Sequence, residues 1–233
     1  MNNNVVKKIL TWCVFPVIII LLVWAIVSSI MKPVNFNKER AVREEIAIQQ
    51  MKDIRTLQVA YKGAKGEFAP VMDSLIKFYN EGDMSIIMQV GSTDDSLAMA
   101  HTDAIKKKFR GKISGEDLYK LYQAGDHNLV FAVENKIPVK DTLFNGRDNF
   151  KVENLKYIPY SEGDTVIMES IVKMVSGVNV PLFEAKMPYR SLLKGMDNQL
   201  RINLDAERRD MNKYEGLQVG SVTAPNNNAG NWE

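Results

Sequence analysis

From Ile9 to Met31 the chain runs for 23 residues without one charged side chain, between Lys8 and Lys32. At about 1.5 Å per residue, a helix over this run measures about 34 Å, enough to cross a hydrocarbon layer of roughly 30 Å with some tilt. A helix inside a soluble domain carries polar residues along some face, and this run offers only Thr11, Ser28 and Ser29, all near its ends. It therefore predicts a membrane-spanning helix over 9–31, preceded by a short tail, 1–8. The run is longer than the roughly 7–15-residue apolar core of a cleaved leader, and "IVSSIMKP" is a poor cleavage site, so a retained anchor is expected. Pro16 is expected to kink the helix, with Trp12 and Trp24 toward its interfaces.

Orientation draws on two opposing signals. Lys7 and Lys8 stand before the run, and Lys32, Lys38, Arg40 and Arg43 after it, a count that favours a cytoplasmic C-terminal part. A short tail before a long apolar run is, however, the layout of a signal anchor, which exports the C-terminal part. The expectation is a single-pass protein of a bacterial inner membrane with its C-terminal domain periplasmic.

The remainder has the composition of a globular chain. The 233 residues are 45% hydrophobic and 25% charged overall. A net charge of +2 is too small to argue for a polyanion, so no nucleic-acid partner is expected. The single cysteine, Cys13, lies in the apolar run, which leaves no disulfide framework or cysteine metal site elsewhere.

Pro33 is expected to end the membrane helix, because proline disfavours helix at the residue before it. Asn37 is a plausible N-cap for a second helix, a stalk over 38–64. In it Ala47, Met51, Ile54, Gln58 and Tyr61 recur at helical spacing with Leu57 beside them, one apolar stripe along about 37 Å. Such a stripe either packs on the same chain or forms a coiled-coil seam. Ala47, Met51, Ile54, Leu57 and Tyr61 are taken as the surface for a protein partner or a second copy. The stretch "LQVAYKGAKGEFAP" then joins stalk to head, with Gly63 and Gly66 letting the chain turn.

The head, 68–222, reads as α+β: a mainly antiparallel sheet with helices on one side. Residues 71–81 and "EDLYKLY" predict short helices, and "MSIIMQVG" a strand. "NLVFAVENKIPVKD" reads as strand, turn and strand. Residues 166–174 predict a central strand, returning through Ser176-Gly177 into 178–186, which Pro181 marks as an edge or bulged strand. "PYRSLLKGM" reads as a short helix, "QLRINL" as a strand and "DAERRDMNKYEG" as a helix capped by Asp205 and Gly216. "LQVGSV" is the last strand, and 223–233 a polar flexible tail.

Chemical motifs are sparse. No G-x-S-x-G, phosphate-loop or dinucleotide fingerprint is present. His101 near Asp94, Asp95 and Asp103 is read as part of a polar surface loop, and His127 as a turn residue. Lys106, Lys107, Lys108, Arg110 and Lys112 surround Phe109 in the one dense basic cluster, read as a solvated loop or as a contact for anionic lipid headgroups. No cofactor, no metal and no enzymatic activity are expected.

The short tail, membrane helix, continuing helix and α+β head, with "IRTLQVAYKGAKGEFAPVMDSLIKF" at the joint, resemble type IV pilins and type II secretion pseudopilins, which implies a pilin-like subunit. The same layout resembles the inner-membrane platform proteins of those machines, which implies a scaffolding role. The C-terminal half, including "GLQVGSVTAPNNNAGNWE", is similar to that of uncharacterised bacterial single-pass envelope proteins. The chain has no prepilin cleavage glycine followed by Phe or Met, and no acid within the apolar run, so the scaffolding reading is placed first.

Overall fold

The structure, a computed structural model, describes residues 10–233; the expected tail, 1–8, lies outside them. After a π-helical turn, Leu10–Val14, one helix, α1, runs unbroken over Phe15–Lys65. Its 51 residues span about 76 Å. It is the one helix among the described residues long and apolar enough to cross a membrane, and its most apolar 18-residue window, of mean hydropathy 2.4, is nowhere buried. Pro16 sits in the first turn of α1, where a missing N–H forfeits no bond.

The expected break at Pro33 does not occur. Proline in a helix interior forfeits a hydrogen bond and crowds the preceding turn, at about 3 kcal/mol. Starting a second helix carries its own nucleation cost. Phe36, buried in the head only three residues on, further favours one continuous rod.

The head is α+β, as its sequence predicts. Helix α2, Met72–Glu81, buries Met72, Leu75 and Phe78. Strands β1, Asp83–Val90, and β2, Phe131–Pro138, form an antiparallel pair and enclose α3, Ser96–Lys108, and α4, Gly115–Gln123. A short helix α5, Val139–Thr142, and a 3₁₀ turn, Val152–Lys156, lead to the second sheet. There β3, Ile167–Val175, β4, Val178–Pro188, and β5, Gly216–Gly220, lie antiparallel in the order β3-β4-β5. Helices α6, Tyr189–Leu192, and α7, Asn198–Asp210, connect β4 to β5.

Four local expectations are corrected. "NLVFAVENKIPVKD" supplies one strand, β2, which then passes into α5. "QLRINL" is helical within α7, because Asp197 accepts hydrogen bonds from the N–H groups of Gln199 and Leu200 at 3.0 Å and starts the helix there; Asp205 falls in its interior. Strand β3 is the edge and β4 the centre, yet Pro181 lies in the half of β4 that β5 leaves unpaired, which is where a missing donor is harmless. The C-terminal segment is docked. Gly220 N–H bonds Ala229 O at 3.0 Å, Asn231 N–H bonds Gln218 O at 2.9 Å, and Trp232 packs on the core.

The stripe of α1 is the spine of that core. Ala47, Met51, Ile54 and Leu57 are completely buried against Phe183, Ala185 and Met187 of β4 and Leu217 and Val219 of β5. Tyr61 packs beside them, edge-on to Phe78 with centroids 5.2 Å apart. The expected helix-pairing surface is therefore consumed within the chain. A sheet with one apolar face needs a cover, and the stripe supplies it at roughly 1.5–3 kcal/mol per large side chain buried. Residues 38–64 form no free stalk.

Gln58 is the one fully buried polar side chain on this stripe. Its Nε2 donates to Ala69 O at 3.0 Å, and Ala69 N–H donates back to its Oε1 at 2.9 Å. This two-way amide pair holds the chain where it turns back after Gly66, which closes α1 in the left-handed conformation at φ 85°. Replacing Gln58 with Ala strands both backbone groups. The expected loss is about 2–4 kcal/mol of unfolding free energy, read by urea titration of the detergent-solubilised chain.

Candidate functional site

Polar contacts fix α1 to the head along its length. Arg43 Nη1 donates to the carbonyls of Leu192 and Lys194 at 3.2 and 2.9 Å. Gln50 Nε2 donates to those of Asn154, Leu155 and Tyr157 at 2.8–3.2 Å, gathering the end of the 3₁₀ turn. Buried Asp53 takes both guanidinium arms of Arg147, at 2.7 and 3.0 Å. Tyr189, almost fully buried, donates its hydroxyl to Glu44 Oε1 at 2.5 Å and accepts from Arg208 Nη2 at 2.7 Å. Burial pushes the Tyr189 phenol up to about 12.

The sequence candidates lie elsewhere. Asp95 caps α3, accepting from the N–H groups of Leu97 and Ala98 at 3.1 Å. His101 Nε2 sits 2.9 Å from Asp126 Oδ2 at the surface, and that hydrogen bond holds the Asp126 carboxyl below the usual carboxylate range. His127 meets the ring of Tyr122 edge-on at 4.8 Å. No group of three or more metal-ligating side chains occurs among the described residues.

Lys106, Lys107 and Lys108 occupy the last turn of α3, where cations suit the helix dipole, and Arg110 and Lys112 lie beyond it in the exposed loop. They belong to a lobe over 83–138 with its own small core of Leu118, Leu129, Phe131 and Val133. The lobe is rooted at the far end of α1, where Gly82 and Asp83 share a cleft with Ala64 and Lys65. That root is about 50 Å along the helix axis from Met31.

A different cluster stands at the near end. A cleft of about 680 Å³ opens between α7 and the strand ends, lined by Arg190, Arg201, Asp205, Arg209, Lys213, Tyr214 and Glu215, with Pro188, Ile202 and Ala206 as its apolar wall. Arg201 pairs with Asp205 at 2.6 Å and Arg209 with Glu215 at 2.7 Å. Arg190 and Lys213 have no carboxylate partner among the described residues. Asp205 is 8% exposed, and its Oδ1 is buried without a hydrogen bond. Burial pushes its carboxyl up, against the opposing pull of Arg201. The cleft wall thus carries two cations without a carboxylate partner and a carboxylate with one buried, unsatisfied oxygen. That arrangement suits an anion that also carries a hydrogen-bond donor.

A second groove adjoins it, lined by Asn37, Arg40, Glu44, Tyr189 and Arg208, and Lys213 borders both. That groove is therefore beside the part of α1 that directly succeeds the apolar segment, and the cleft adjoins it through Lys213. Reading 199–204 as a strand hides this cluster in the sequence. The signal that reveals it is the spacing of Arg201, Asp205 and Arg209, which share a helical face at i, i+4 and i+8.

Comparison with family models, with curated proteins and with solved structures finds no match to this chain.

Tyr189 makes the α1–head junction sensitive to alkali. Its proton is held more tightly in the folded chain, so its contribution is complete below pH ~10, the ordinary phenol value, and is lost as pH rises toward the folded value of about 12. Unfolding free energy should fall by about 2 kcal/mol over that interval through this group. Tyr189→Phe should be less stable at neutral pH and show a shallower alkaline decline than wild type, measured by parallel urea titrations.

Proposed function

We propose that this chain is a non-catalytic scaffold of the bacterial cell envelope. It is anchored by α1 in the inner membrane, holds its head against the outer face of that membrane, and presents the 83–138 lobe to a protein partner. The observation that carries this reading is the continuity of α1: one helix passes from the apolar segment into the centre of the head, where its stripe is buried. A rod of that kind transmits position, since the head cannot swing on a linker.

The lobe supports the second half of the reading. It is joined to the rest through β1 and β2 and has its own core. It exposes Leu97, Phe109 and Ile87, at 78%, 54% and 71%, beside its lysines. Exposed apolar groups with a polar rim are what a partner surface presents. A pilin-like subunit is the second reading, favoured by the same unbroken helix; it requires a processed N-terminus, so an intact mass that includes Met1 rules it out.

Two measurements test the anchoring and its orientation. The full chain should resist alkaline extraction from membranes, and deletion of 9–31 should release it; extraction of the intact chain would end the anchoring claim. A reporter fused after Glu233 should be active only outside the cytoplasm. A third tests the partner surface. In cells, a photo-crosslinking residue at Leu97 or Phe109 should give discrete protein adducts, while one at Val42 or Ile46, on the exposed face of α1, should give few. The reverse pattern would return the partner surface to the helix.

A further inference from the structure

We infer that the cleft beside α7 binds a phospholipid headgroup of the membrane that anchors the chain, taking the phosphodiester on Arg190 and Lys213 and an N–H or O–H donor of the headgroup on Asp205. This rests on the membrane-anchored reading above.

Position comes first. Phe36 is already buried in the head, about 8 Å along the helix from Met31. Asn37 and Glu44, which line the adjoining groove, lie about 9 and 20 Å from Met31. A headgroup layer adds roughly 5–8 Å to each side of the hydrocarbon, and tilt of α1 lowers the head further. Lys213 borders both the groove and the cleft, so the cleft opens within reach of that layer.

Chemistry then selects the ligand. Arg201 and Arg209 are each matched by a carboxylate, while Arg190 and Lys213 are not. Two unmatched cations at a membrane surface attract phosphate oxygens. A plain anion would nonetheless leave Asp205 Oδ1 unsatisfied, and it would set a second negative charge near that carboxylate. A buried acceptor without a partner is costly, and a donor attached to the anion relieves it. Phosphoethanolamine and phosphoglycerol each carry a phosphodiester and, two or three carbons away, an ammonium or hydroxyl. Phosphocholine carries the same phosphodiester with no N–H or O–H. Ile202 and Ala206 provide an apolar wall for the intervening carbons.

The experiment uses the full chain in nanodiscs of phosphatidylcholine alone, or with phosphatidylethanolamine or phosphatidylglycerol added, and native mass spectrometry after release to count retained lipid. Wild type should retain phosphatidylethanolamine and phosphatidylglycerol over phosphatidylcholine. Arg190→Ser with Lys213→Ser should lower retention about tenfold, since both side chains are exposed and unpaired and the fold does not depend on them. Asp205→Asn, which turns the free acceptor into a donor while keeping a partner for Arg201, should abolish the preference for phosphatidylethanolamine over phosphatidylcholine. Replacing Lys106, Lys107 and Lys108 with Ser should change nothing. Equal retention of all three lipids by wild type, or full retention by the Arg190/Lys213 variant, would overturn the headgroup site. Displacement of the lipid by equimolar glycerophosphorylethanolamine would reassign the cleft to a soluble phosphodiester. Failure of the anchoring reading is separate: it shows as alkaline extraction of wild type, whereas failure of the site alone leaves every variant in the membrane.

Discussion

The packing of one face of α1 against the β3-β4-β5 sheet is the contact on which the rest of the molecule depends. Sheet and helix each have an apolar face that water disfavours, and Ala47, Met51, Ile54 and Leu57 meet Phe183, Ala185, Met187, Leu217 and Val219 to remove both. Ala47 matters by being small, since it lets the helix backbone approach the sheet closely enough for the larger neighbours to interlock. Because the same helix begins in the apolar segment, the packing that builds the head also sets the head's height and rotation relative to any membrane the segment crosses.

Apolar packing by itself specifies a helix face only loosely. The polar contacts along α1 give it register. Gln50 fits three converging carbonyls, Asp53 fits one guanidinium fork, and Gln58 fits the amide of Ala69. A shift of α1 by one turn would leave each of these groups unpaired against the head, at about 1–3 kcal/mol apiece. The C-terminus joins this scheme. Arg55 reaches Glu233 at 2.6 Å, and Trp232 lies on the core, so a segment of low complexity is held by the helix it flanks.

Helix and strand signals were legible where period and length agreed. The apolar run of 9–31, the stripe of 47–61 and the hairpin around Ser176-Gly177 each repeat over enough residues to exclude the other period, and the fold class rests on them. Six-residue "QLRINL" alternates like a strand, yet Leu200 and Leu204 are also a helical pair, and the Asp197 cap decides between the two. The break expected at Pro33 failed for a related reason. Local preference at Lys32 is weaker than tertiary anchoring of Phe36. The docked tail was not legible because its contacts are backbone bridges to β5 and bonds from Arg55 to Asn228 and Glu233, 173 and 178 positions away, which carry no periodic mark. The cleft was hidden by the strand-like segment, since Arg201, Asp205 and Arg209 face one way only on a helix.

The division of positive charge is a consequence of this geometry. The cations around 106–112 are clustered in the sequence and those of the α7 cleft are dispersed over 190–213, and α1 separates the places where they attach. The lobe is rooted about 50 Å along the axis from the apolar segment, and the cleft adjoins a groove lined by Asn37, Arg40 and Glu44 of the first turns that leave it. Coulomb attraction to a charged surface fades within a Debye length, about 8–10 Å in physiological salt. Clusters attached at such different points along one helix therefore answer to different fields: the near one to the headgroups of any bilayer the apolar segment crosses, the far one to whatever approaches the lobe from solution.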